Sequence, residues 1–111
     1  MNEEKSTLME ILGDAPVVRI IDFLLENKLF DYSKKQIIDE TELSKVTFYK
    51  YWGVLVDSGI VEETRAFGKT RLYKINEKSL AVQKIKELEF ELLEKAAPIA
   101  IVEKAVRKEK N

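Results

Sequence analysis

A chain of 111 residues can build one hydrophobic core, and 45% apolar content supports one, while 35% charged residues leave a heavily charged surface. With no cysteine and no histidine, disulfides, thiolate or imidazole metal sites, and Cys or His nucleophiles and bases are excluded. The net charge of −1 excludes a polyanion-coating basic arm, yet the charge is uneven: residues 1–32 carry 3 Lys/Arg against 7 Asp/Glu, residues 33–75 carry 8 against 6, and residues 76–111 carry 8 against 7.

Counting alone leaves open a carboxylate-only Mg²⁺ or Ca²⁺ site, but no D-x-D-x-D-G loop, Walker glycine run or G-x-S-x-G elbow is present. The expectation is a binding protein with no cofactor, not an enzyme. The start "MNEEKST" is acidic and polar, unlike a signal peptide, and no apolar run approaches membrane-spanning length. A soluble cytoplasmic protein is therefore expected.

In chain order, "TLMEIL" (7–12) predicts a short apolar helix ending at Gly13. A helix over 14–27 follows, with Asp14 as N-cap and Pro16 in the first turn, where its missing N–H costs nothing. Val17, Ile20, Ile21, Leu24 and Leu25 form its buried stripe, and Asn27 is placed to close it in the left-handed region. "LFDY" suits a brief extended piece. Ser33 and Gln36 form a capping box for a helix over 34–41, to which Ile37 and Ile38 give the apolar face. After "TEL" turns the chain, Ser44 caps a helix over 45–58 that stops at Gly59.

Two β-prone runs within 60–75, separated by Gly68, predict a hairpin with Tyr73 and Ile75 facing inward. From Glu77 the pattern is one long helix, with Ile85, Leu88 and Leu92 as its stripe and Ala81, Val82, Leu93 and Ala96 widening it. Pro98 predicts an end or kink near Ala97, with a short, fraying helix beyond.

The helix over 45–58 divides its aromatics. Phe48, Trp52, Leu55 and Gly59 share one side with Tyr51 at its edge, whereas Lys45, Val46, Tyr49, Lys50, Gly53 and Asp57 lie on the other. Phe48 and Trp52 are core anchors, and the opposite face presents cations and a tyrosine. A mid-helix glycine costs about 1 kcal/mol relative to Ala. Gly53 therefore predicts a close neighbour, either another helix or a phosphate backbone.

The stretch "SKKQIIDETELSKVTFYKYWGVLVDSGIVEETRAFGKTRLYKIN" (33–76), with its pattern S-x-x-T-F-x-x-x-W-x-x-L-x-x-x-G-I-V, resembles the winged helix-turn-helix transcriptional regulators of the broad MarR/ArsR-like type, particularly small archaeal ones. The resemblance implies an α+β, mainly helical fold. It would have a winged helix-turn-helix domain over 1–76, with residues 60–75 as the wing, and a C-terminal dimerisation helix and charged tail over 77–111. It also implies a homodimer that regulates transcription by binding double-stranded, palindromic DNA. The recognition helix would present Ser44, Lys45, Thr47, Tyr49 and Lys50 to the major groove. Arg65, Lys69, Thr70 and Arg71 on the wing would meet flanking backbone or minor groove, and Lys34 and Lys35 would hold adjoining phosphates. That amounts to about five to seven phosphate contacts per subunit and a salt slope on the order of −5 or steeper. The dimer contact would use Leu8, Ile11 and Leu12 with Val82, Ile85, Leu88, Leu92 and Ala96. The competing reading is a winged helix used only for protein–protein contact, which a fold alone does not distinguish. The residues select no effector; a small apolar molecule between the core and the long helix is left open.

Overall fold

The computed structural model describes residues 7–110, with side chains for 7–95. The elements run α1 (Thr7–Leu12), α2 (Pro16–Glu26), β1 (Tyr32–Ser33), α3 (Lys34–Thr41), α4 (Lys45–Asp57), β2 (Val61–Phe67), β3 (Thr70–Ile75) and α5 (Leu80–Lys110). The fold is α+β and mainly helical, with an antiparallel hairpin between α4 and α5.

Local chemistry explains most boundaries. Ser33 Oγ accepts from Gln36 N at 3.2 Å while Gln36 Oε1 accepts from Ser33 N at 2.8 Å, completing the capping box of α3. Ser44 Oγ accepts from Thr47 N at 3.1 Å and starts α4. Gly59, with φ 78°, takes the chain out of α4 through a left-handed turn that a side chain would strain.

Four expectations need correction. The N-cap of α2 is Ala15, which has no capping side chain, because Asp14 instead pairs with Arg19 Nε at 2.8 Å. Asn27 is not left-handed (φ −115°); it closes α2 by donating its Nδ2 to Phe23 O at 2.8 Å. The last helix begins at Leu80 rather than Glu77, since Ser79 Oγ accepts from Val82 N at 3.3 Å and fixes its first turn. It also does not end near Ala97 but stays helical through Pro98 to Lys110. Proline there removes one i→i−4 bond, and helix continues on both sides of it.

The sheet has the order β1-β3-β2, antiparallel throughout. The extended piece expected around Phe30–Tyr32 is β1, in which Tyr32 pairs with Tyr73 and Ser33 with Leu72. In the hairpin, Val61 lies opposite Ile75 and Glu63 opposite Tyr73. A bulge then intervenes, after which Arg65 faces Leu72 and Phe67 faces Thr70. Gly68 and Lys69 form the two-residue tip. Gly68 has φ 59° and Lys69 has no positive φ, as a II′ turn requires.

Ile20, Leu24, Ile37, Phe48, Trp52, Leu55, Val61, Tyr73, Ile75 and Val82 are all buried in one core. Phe48 stacks on Trp52 at 4.9 Å, and Trp52 meets Tyr73 edge-on at 5.0 Å. Such aromatic pairs add about 0.5–1.5 kcal/mol each beyond their buried area. This chain of rings fixes α4 against β3, so the opposite face of α4 is held rigidly outward. Tyr73 and Ile75 are the inward pair, as the sequence predicts.

Candidate functional site

The exposed face of α4 carries Lys45, Val46, Tyr49, Lys50 and Gly53. Tyr49 sits edge-on to Phe48 at 5.2 Å, so its ring is steadied from the core side. Lys34, at the first position of α3, lies over two rings, with Nζ 5.6 Å from the centroid of Tyr49 and 6.0 Å from that of Tyr73. Lys34 thus joins the presented face of α4 to the start of α3 and the centre of the sheet. Lys50 Nζ lies 5.6 Å from the ring of Tyr51.

Other residues singled out from the sequence are engaged locally. Ser44 Oγ donates to Thr47 Oγ1 at 2.8 Å while also capping α4, so the two hydroxyls serve the helix start. Lys35 pairs with Asp39 one turn along at 3.3 Å, on an exposed surface where such a pair contributes little. Gly53 has no neighbour within 4 Å of the position a Cβ would take. The expected close helix is absent, and no contact among the described residues accounts for this glycine.

The hairpin does not present one cationic cluster. Residues paired across antiparallel strands share a face, and alternate residues along a strand share it too. Arg71 therefore lies on the face of Tyr73 and Glu63, and its Nη1 donates to both Glu63 oxygens, at 3.1 and 2.9 Å. The bulge inserts Thr64 and turns Arg65 to the face of Leu72, the opposite one. There its Nε and Nη2 meet Asp31 Oδ2 and Oδ1 at 2.8 and 3.0 Å, while Thr64 Oγ1 donates to Oδ2 at 2.5 Å. The hydrogen bonds from Arg65, then that from Thr64, hold the Asp31 carboxyl well below its usual range, at about 2. Arg65 also stacks over Phe67 at 5.3 Å. Lys69 and Thr70 are exposed at the tip, and Lys69 has no ion pair among the described residues.

Asp31 and Glu63 are thus parts of this surface that the sequence did not expose. Asp31 lies 34 positions before its arginine, and Glu63 meets Arg71 only once the register and bulge are known.

The residues expected at a dimer contact separate into groups. Leu8 and Val82 are buried within the chain and are not available to a partner, because α1 lies against α2 and α5 and Val82 joins the core. Ile85 is half-buried against that core, and Leu92 is half-buried. Ile11, Leu12 and Leu88 are exposed, as are Phe90 and Leu93. Ala96 lies outside the described side chains.

Among the described residues, no helix is long and apolar enough to cross a membrane, and no group of three or more acidic side chains is placed to hold a metal ion. No protein-family model matches the chain, and neither a curated protein nor a solved structure matches it.

Proposed function

We propose that this chain is a winged helix-turn-helix protein that binds double-stranded DNA and regulates transcription as a homodimer. In this reading α4 enters the major groove and the β2–β3 hairpin lies on the flanking backbone or minor groove. The observation that carries it is the division of α4. Phe48, Trp52 and Leu55 bury one face, while Lys45, Tyr49 and Lys50 stand on the other, with Lys34 beside them. A helix rigidly packed on one side and cationic on the other meets the geometric need of groove recognition. Two such helices related by a two-fold axis would read half-sites about one DNA turn, ~34 Å, apart.

Of the seven cations assigned to this surface (Lys34, Lys35, Lys45, Lys50, Arg65, Lys69 and Arg71), Lys34, Lys45, Lys50 and Lys69 have no acid partner among the described residues. They give about four phosphate contacts per subunit, and a dimer slope of log affinity on log salt near −7. Fluorescence anisotropy on random-sequence duplexes across a salt series tests this. Lys45→Ala with Lys50→Ala should flatten the slope by about 0.9 per lysine in each subunit. Absence of any duplex binding by the wild type at low salt would reject the reading.

A second reading has a specific observation in its favour. Both hairpin arginines are already matched by carboxylates, and the net charge is −1, as suits a winged helix used for protein–protein contact. That reading predicts no salt-dependent duplex binding, so the same titration separates the two.

A further inference from the structure

Val46 is the most exposed large apolar side chain among the described residues, at 83% of its full accessible surface. It is the second residue of α4, and Tyr49 and Lys50 follow at the three- and four-residue spacing that puts all three on one strip of the helix. No packing among the described residues calls for an apolar side chain there. A β-branched side chain also disfavours the helix relative to the Lys or Glu that a solvated position usually holds.

The chemistry around Val46 is as informative as its exposure. From Lys45 to Asp57, α4 contains no Arg, Asn or Gln. It therefore has neither the guanidinium fork that reads guanine nor the carboxamide that reads adenine through paired hydrogen bonds. The hydroxyls of Ser44 and Thr47 are joined to each other at the helix start. Exposed for a base edge on the N-terminal strip are the lysine ammonium groups, the Tyr49 hydroxyl and the two methyls of Val46, while Thr47, which also carries a methyl, is half-buried. The major groove has one apolar feature, the C5 methyl of thymine.

We propose that Val46 is a specificity-determining residue that packs on a thymine methyl in the major groove. The proposal rests on the DNA-binding reading above and adds the base it recognises. Tyr49, steadied by Phe48 and Lys34, walls the strip on its inner side. Lys45 and Lys50 flank it and engage phosphates or a neighbouring guanine.

The experiment begins with selection of bound duplexes from a random pool, which defines the half-site. Synthetic duplexes are then made with each half-site thymine replaced singly by deoxyuridine, which removes only the methyl. Wild-type affinity should fall about fourfold at one thymine per half-site, the equivalent of one methyl withdrawn from contact. Val46→Ala should weaken binding to the thymine duplex and bind both duplexes equally. Circular dichroism verifies that this surface variant remains folded. Equal wild-type affinity for thymine and deoxyuridine at every position would overturn the proposal and leave DNA binding standing. So would a half-site without thymine, or discrimination that persists in Val46→Ala. Failure of the wild type to bind any duplex would instead remove the DNA-binding reading, and the proposal with it.

Discussion

Arg65 and Asp31, 34 positions apart in sequence, meet through two parallel hydrogen bonds of 2.8 and 3.0 Å. The pair ties the half of the hairpin beyond the bulge to the segment entering β1, so the hairpin is held there by side chains as well as by its strand pairing. It also balances the charge of an arginine that, from sequence, reads as a free cation.

The Asp31 carboxyl is held at about 2 against an ordinary value of 3.8, by hydrogen bonds from Arg65 first and Thr64 second. A lowered folded-state pKa means that the unfolded chain takes up the proton first. The contribution of this pair to stability is thus present above pH 3.8 and is lost as the pH falls through about 2. NMR titration of the Asp31 carboxyl should show the depressed value, and Arg65→Gln should return it towards the ordinary range. An Asp31 that titrates normally in the wild type would mean the pair does not persist in solution.

Gly53 lies on the exposed face of α4 with open space where a Cβ would stand. Gly53→Ala should therefore raise the unfolding free energy by about 1 kcal/mol through helix propensity alone. Urea denaturation should register this as a higher midpoint with an unchanged slope. If DNA backbone approaches that face, the same variant should bind duplex more weakly while being more stable. A variant that gains neither stability nor loses affinity would leave the glycine without either role.

Glu42 has φ 58° in the turn between α3 and α4, a left-handed conformation that costs a side chain about 1–2 kcal/mol. Glycine removes that cost and adds back about 0.4–1 kcal/mol of unfolded-chain entropy. Glu42→Gly should thus stabilise the fold by about 0.5 kcal/mol. A destabilised variant would show that the Glu42 side chain makes a contact outweighing its backbone strain.

The balance between what the residues revealed and what they hid follows from distance along the chain. Phe48, Trp52 and Leu55 declare their common face because helical spacing is local, and the Ser33–Gln36 capping box spans three positions. The Tyr73–Ile75 inward pair is likewise a local, two-residue spacing on one strand, although the hairpin's alternation is imperfect. The bulge at Thr64 has no such local signature, and it reverses the face of Arg65. Asp14 reads as an N-cap because helix starts favour aspartate, but it lies one residue before the cap, Ala15, and its carboxylate pairs with Arg19 five positions on, a partner that the capping signal does not reveal.

Glu26 on α2 and Glu89 on α5 are both held above the ordinary value of 4.5. Burial is the main cause for each, followed by the charge of Asp22, and Glu89 adds to the effect on Glu26. Raised folded-state values mean that the folded chain takes up these protons more readily than the unfolded one. Stability should therefore fall as pH rises from 4.5 through the raised values, and recover on acidification. Glu89→Gln should be more stable than wild type at pH 7, with the difference shrinking towards pH 5 in urea unfolding. An equal loss of stability at both pH values would show that Glu89 contributes through packing or hydrogen bonding instead.

The apolar stripe of α5 is only partly used within the chain. Val82 is buried and Ile85 lies half-buried against the core, but Leu88 and Leu93 remain exposed one to two turns further along. Ile11 and Leu12 on α1, which lies against α5, are exposed as well. If a second copy covers these residues, wild-type protein should sediment at twice the 12.9 kDa chain mass. Leu88→Ser with Leu93→Ser changes four positions per dimer, each contributing on the order of 1 kcal/mol of burial, so dissociation should strengthen a hundredfold or more. Because both side chains are exposed in the single chain, the variant should keep its helical circular dichroism while sedimenting as a monomer. A wild type that is monomeric at high concentration, or a variant that dimerises undiminished, would place the partner of this helix elsewhere.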